Sequence, residues 1–300
     1  MNDSARARAR SSRRPGRNPP AVGALVMGLL ALLAAGCSSS PSANSPTTTA
    51  PSSTTSTSAP GGRATTYSLY FLRASHLGVA HRNAPAADAV ATAAVSALMG
   101  GPDADEMTAG LTSAIPAGTR LLALRIASGT ATVDVSDAFA DKESPGDELA
   151  RVAQVVFTLT QFPSVRIVAF QIGGSTPTTF ASGAVSLRKA LGPGDVVGAL
   201  PAILVESPAV GDTLHGSVHL AGLANVYEAQ FQVQLIDGNG KLLVDEPVQA
   251  TAGSGTWGTF DATFSFSTST KTTSTLRVYD VSMKDGSPID EVDLRLVAGP

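Results

Sequence analysis

The chain of 300 residues holds one cysteine, Cys37. A lone thiol excludes a disulfide scaffold and every zinc or iron–sulfur site built from several cysteines. Charge is also scarce, 15% of residues against 43% hydrophobic, which is the balance of a folded chain rather than a disordered one. The net charge of −3 lacks the basic excess of a nucleic-acid binder. After residue 35 no apolar run approaches the roughly 20 residues that span a bilayer, so no internal membrane helix is expected. The sequence also has no G-x-S-x-G elbow, no G-x-x-x-x-G-K phosphate loop and no H-E-x-x-H pair. What remains informative is how the sparse charge and the single thiol are placed.

Residues 1–36 carry six of the 21 basic residues and one of the 24 acidic ones, so the rest of the chain holds 15 and 23, net −8. The six are Arg6, Arg8, Arg10, Arg13, Arg14 and Arg17, and the uncharged run AVGALVMGLLALLAA follows from Ala21 to Ala35. A basic head, a short apolar body and small residues before a cut describe a secretory signal peptide. Pro15 and Gly16 follow Arg13-Arg14 where twin-arginine export has apolar residues, so general secretion is expected. The ending Ala34-Ala35-Gly36-Cys37, with Leu33 before it, resembles the lipobox of bacterial lipoproteins. That resemblance implies cleavage before Cys37 and lipid on its thiol, anchoring the chain to the outer face of the cell membrane. Each buried methylene adds about 0.8 kcal/mol, so two or three acyl chains hold durably.

Residues 37–65 form a tether. Ser38 to Gly62 contains only Ser, Thr, Pro, Ala, Gly and Asn, without charge. Such a stretch cannot bury enough apolar surface to offset the entropy of ordering, and a disordered linker is expected.

Residues 66–192 read as an α+β domain. Thr66–Arg73 is a strand, followed by a loop with His76, His81 and Pro85, and then a helix over Ala86–Met99 ended by Gly100-Gly101-Pro102. Leu121–Ile126 and Thr130–Val135 flank Ser128-Gly129 as a hairpin. A second helix opens at Pro145 and Asp147 and runs to about Gln161, with Arg151, Gln154, Thr158 and Gln161 as a polar stripe at steps of three and four. Val165–Ile172 is a last strand. This order predicts two helices packed on one β-sheet.

Residues 193–200 are a linker, and residues 201–300 change to short alternating segments. Strands are expected at Ile203–Glu206, Ser217–Gly222, Ala229–Leu235, Lys241–Val244, Val248–Ala250, Gly258–Phe266, Thr275–Val281 and Asp290–Val297. Turns fall at Asp237-Gly238-Asn239-Gly240 and Asp285-Gly286. The pattern predicts an all-β immunoglobulin-like sandwich. No disulfide can join its sheets, so Trp257, Phe260, Phe264 and Phe266 are candidates for its core.

The blocks YFLR, LMGGP, AIPAGTRLLALRIASGTATVDVSDAF and AQVVFTLTQFPSVRIVAFQIGG resemble the GerMN (sporulation and spore-germination) domain. The segments ILVESPAVGDTLHGSVHLAGLANVYEAQFQVQLIDGNGKLL, GTWGTFDATFSF and VYDVSMKDGSPIDEV resemble the immunoglobulin-like domain of bacterial spore germination. The pairing implies an exported lipoprotein that serves assembly or binding rather than a known reaction.

Isolated polar residues add little chemistry. On one strand His215 and His219 stand about 13 Å apart, too far to share a zinc ion. His76 and His81 have no neighbouring cysteine or acid pair. Asp237-Gly-Asn239-Gly-Lys241 opens like a calcium loop but puts Lys241 where an oxygen ligand belongs, so a hairpin turn is expected. Asp134 and Asp137 read as strand-end and capping residues. The sequence thus points to a non-catalytic binding or scaffold module with no cofactor and no metal, facing cell-envelope proteins or cell-wall polymer and not nucleic acid. Cys37 is the one assigned site. The alternative is a carboxylate-dependent wall-polymer hydrolase or lyase using Asp134, Asp137, Asp141 and Glu143, and a third reading is a small-ligand sensor.

Overall fold

The computed structural model describes residues 64–84, 90–142, 145–178 and 180–300. Cys37, the expected leader and most of the tether lie outside them, as do residues 86–89 of the expected first helix and Glu143. The chain is an α+β domain followed by a β-rich immunoglobulin-like domain. No helix of the described residues is long and apolar enough to cross a membrane.

The first strand, β1 (Thr65–Arg73), buries residues on both faces because TYSLYFL is apolar almost throughout. It pairs antiparallel with β2 (His76–Ala84), from Thr65 opposite Ala84 to Arg73 opposite His76. Residues 76–84, expected as a loop, are therefore a strand. The connecting turn explains why: Ala74 and Ser75 both take positive φ, 47° and 72°, without the Gly or Asn that normally signals such a turn. Helix α1 (Val90–Met99) packs its Ala94, Val95 and Leu98 side against the core. The short α2 (Ala104–Thr108) starts with a capping box between Asp103 and Glu106. Arg82 on β2 grips the buried Glu106 with two bonds, 3.1 and 2.6 Å.

Strands β3 (Leu121–Ala127) and β4 (Thr130–Val135) form the expected hairpin, and β5 (Ile167–Ile172) runs parallel to β4. The first domain thus has two small sheets, β1-β2 and β3-β4-β5, where one was expected. Helix α3 (Pro145–Thr160) packs against β1, β2 and β5 and so joins the two sheets.

The polar stripe on α3 faces inward. Arg151, Gln154 and Thr158 are fully buried, and Glu148 with them. Each serves backbone groups that no strand or helix satisfies. Gln161 works like a neighbouring strand residue, accepting from the Ser68 N–H and donating to the Ser68 carbonyl, both at 2.8 Å. Thr158 accepts from the Tyr70 N–H at 3.2 Å, and Gln154 from the Ala114 N–H at 2.8 Å. Glu148 accepts from the Ser182 N–H. Arg151 donates to the carbonyls of Ala114, Phe139 and Asp141, with Phe139 and Phe180 near its guanidinium at 5.8 and 5.7 Å. Since an unpaired buried backbone group is costly, these side chains make up what the split sheet leaves open.

The second domain has eight strands: β6 (Ile203–Ser207), β7 (Thr213–His215), β8 (Ser217–Ala224), β9 (Gln230–Asp237), β10 (Leu242–Gln249), β11 (Gly258–Ser265), β12 (Thr272–Val281) and β13 (Pro288–Gly299). They form sheets ordered β10-β9-β12-β13-β7 and β11-β8-β6. The segments expected as separate strands at 241–244 and 248–250 merge into β10, with a bulge between Leu242 and Val244. Phe231 and Phe260 meet edge to face across the two sheets, 4.9 Å between centroids. Phe260 and Phe266 belong to the sandwich core and Phe264 packs at its margin. Trp257 does not join them; it packs against the core of the first domain.

That core is shared. Along β6, Ile203 and Val205 point into the sandwich, while Leu204 between them belongs to the first core. Alternation along a strand thus sends its two faces into two different domains. Leu223 on β8 joins Leu204 and Trp257 on the same side. Where β6 and β8 press together, a Cβ on Gly222 would lie 2.0 Å from the Leu204 carbonyl oxygen. Residues 193–200, expected as a linker, form two short turns whose Val196, Ala199 and Leu200 are also buried in the first core.

Candidate functional site at the junction of the two domains

The β1–β2 hairpin carries three polar side chains across to the sandwich. Tyr70 on β1 is buried against the Phe157 ring, 5.4 Å between centroids, and donates its hydroxyl to Glu206 of β6 at 2.5 Å. Burial, then the Glu206 charge and the bond to it, hold the Tyr70 phenol well above its ordinary pKa. His81 on β2 meets two acceptors, the Asp212 carboxylate at 2.9 Å from Nδ1 and the Glu206 carbonyl at 3.0 Å from Nε2. Asp212 is itself oriented by the Ala209 N–H at 2.9 Å. Arg73, at the end of β1, donates to the Asp293 carbonyl at 3.1 Å, and burial lowers its pKa against the opposing pull of Asp293.

Two cavities flank these bridges. One of about 230 Å³ lies between Leu77 and Val79 of the hairpin and Ile203, Val205 and Leu294 of the sandwich, with Arg73 in its wall. The other, about 420 Å³, has Asp103, Asp105, Glu106 and Asp212 against His81 and Arg295. The bridging groups are already bonded to one another. The arrangement suits holding two domains at a fixed angle and offering a cleft.

Of the residues singled out from sequence, His81 forms part of the junction and His76 lines its smaller cavity, while the carboxylates and the other histidines lie elsewhere. The Asp134 carboxylate accepts from the Gly174 N–H at 2.9 Å, and Asp137 lies against Gly173 in the same turn. Neither they nor Asp141 line the junction cavities. His215 and His219 stand on strands of different sheets, and His219 faces Asp261 at 3.0 Å. The Asp237 carboxylate accepts the N–H groups of Asn239 and Lys241, both at 2.9 Å, which is the hairpin turn. Among the described residues no group of three or more His, Cys, Asp or Glu could hold a metal. Sequence reading missed Tyr70, Arg73, Glu206 and Asp212, and it read His81 as a loop residue without an acid partner, whereas it stands on β2 against Asp212. The one available signal was the apolar pair Leu77 and Val79 between His76 and His81, a strand pattern.

The fold and its junction define a class: an α+β domain locked to an immunoglobulin-like sandwich. Residues 68–178 match the family model for sporulation and spore germination, and residues 202–287 match the immunoglobulin-like domain of bacterial spore germination. The chain thus carries these two domain types in tandem. Three solved structures are similar. The first GerMN domain of the sporulation protein GerM from Bacillus subtilis is 26% identical, with 43% of this chain and 97% of that one covered and a TM-score of 0.38. The tandem GerMN domains of the same protein are 23% identical over 62% of this chain and 60% of that one, at 0.39. A putative lipoprotein from Clostridium perfringens is 20% identical over 46% and 93%, at 0.34. No curated protein matches significantly.

Proposed function

We propose that the chain is a membrane-anchored lipoprotein on the extracytoplasmic face, acting as a non-catalytic binding or scaffold module at the cell envelope. The junction carries this reading. Its titratable groups are engaged in joining the domains, so the molecule presents a fixed surface to a partner protein or wall polymer. The spore-germination domain types and the position of Cys37 after a short apolar run support it. Replacing Cys37 with Ala is expected to move the protein from the detergent phase to the aqueous phase on phase separation; unchanged partitioning refutes the anchor. The alternative wall-cleaving activity requires Asp134, Asp137 or Asp141 to act on polymer. Incubation of the protein with purified wall is expected to release no soluble fragments, and fragments lost in an Asp134→Asn variant would establish the enzyme instead.

A further inference from the structure

We propose that the free edge of β3 takes an extended acidic and apolar segment of a partner protein as a fourth strand. The inference rests on the reading of this chain as a binding module and names its partner's chemistry. β3 ends its sheet, with β4 on one side and, among the described residues, no backbone hydrogen bond on the other. The opposite edge is covered, since Val168 of β5 exchanges two 2.8 Å bonds with Leu191. An open edge is a template for another strand.

Composition and exposure mark this edge further. Register places Leu124 opposite Val133 and Ile126 opposite Ala131, on the core side, yet Ile126 is 36% exposed and Leu124 only half-buried; Leu122, 51% exposed, is the extra residue of a bulge between Leu121 and Ala123. Leu124 and Ile126 are an incompletely covered rim of the first core, and Leu122 adds exposed apolar surface beside it. Arg120 and Arg125 are exposed at the start and middle of β3, and the exposed Arg166, just before β5, brings its guanidinium to the turn at the end of β3. Arg166 lies over the Ser128–Gly129 turn, and none of the three forms an ion pair among the described residues. Three unpaired arginines run against the sign of a chain that is net −8 beyond residue 36.

The charges also decide the occupant. Antiparallel pairing of two β3 strands about Leu124 would bring Arg120 of one copy to the end of the other's β3, beside the Ser128–Gly129 turn where the Arg166 guanidinium lies, and would do so twice. A second copy is therefore repelled. A strand with apolar residues against Leu124 and Ile126 and carboxylates beside the arginines is accepted. The backbone ladder supplies affinity, and the exposed charges supply choice of partner and encounter rate.

The test uses the full chain and a fluorescent peptide alternating Val with Glu, beside a peptide with Lys for Glu and one with Pro at its centre. Saturable anisotropy with the Glu peptide is expected, at least about tenfold weaker with the Lys peptide, and weaker in high salt. Arg125→Glu should reverse the preference. Leu122→Lys with Ile126→Lys, both at exposed positions, should weaken binding without changing the circular dichroism spectrum. Hydrogen exchange should slow at the β3 amides on binding. Equal affinity for both charged peptides, no response to Arg125→Glu, undiminished binding of the Pro peptide, or protection confined to another strand would each overturn the proposal. So would a dimer abolished by the Lys variants. Failure of peptide binding beside intact Cys37-dependent partitioning removes this partner and leaves the anchored module standing.

Discussion

Tyr70 shows how much of the junction depends on single groups. Its hydroxyl is the donor that reaches the Glu206 side chain from the hairpin, and the ring is buried on Phe157. Tyr70→Phe keeps the ring packing and leaves Glu206 without that donor. A loss of about 1.5 kcal/mol is expected, the low end for a bond to a charged group because Glu206 is only half-buried and water can replace the hydroxyl. Urea midpoints at neutral pH measure it. The raised phenol pKa adds a pH signature. The native state holds this proton more tightly than the unfolded chain does, so the contribution is present below about pH 10 and is lost as pH rises beyond it. The wild type should therefore lose stability across that range more steeply than Tyr70→Phe. Equal slopes would show that the native environment does not hold the phenol proton.

At the scale of elements, α3 and β1 depend on each other through side-chain-to-backbone bonds. Thr158→Val removes an acceptor and nearly preserves shape, so the Tyr70 N–H is left buried and unpaired. A cost of about 1–3 kcal/mol is expected, and the Tyr70 amide should exchange faster than its neighbours. Unchanged exchange at that amide would show that the bond contributes nothing. This pairing also explains what sequence could and could not reveal. The β3–β4 hairpin was legible because Ser128-Gly129 supplies the turn chemistry, and Gly129 takes φ 81° there. β2 was not, because Ala74-Ser75 adopts the same kind of turn without the residues that announce it. The stripe on α3 was visible as spacing, but spacing does not say whether polar residues meet water or an unsatisfied backbone. Only the split of the sheet decides that, and the split depends on β2.

The whole molecule is less divisible than its two family matches imply. Tyr70 reaches Glu206 across 136 residues and His81 reaches Asp212 across 131, separations that leave no trace in local pattern. Domain types and most of the sandwich strands could be read from sequence. The junction could not, because β6 reads as a plain strand and nothing local assigns its two faces to different cores. That double use has a consequence for unfolding. Leu204 belongs by sequence to the sandwich and by packing to the α+β core, and it is 2% exposed. Leu204→Ala should cost about 2–5 kcal/mol, as for other large-to-small core changes. The loss should appear in both domains together. Trp257, the single Trp, packs against the first domain from the edge of the second, so its fluorescence reports the junction, whereas far-ultraviolet circular dichroism reports both domains. In urea the two signals are expected to trace one coincident transition in the wild type, and in Leu204→Ala to shift together to lower denaturant. If instead the fluorescence change preceded the loss of secondary structure, the domains would be folding as independent units in simple contact. The shared core would then be an interface between them rather than one cooperative interior.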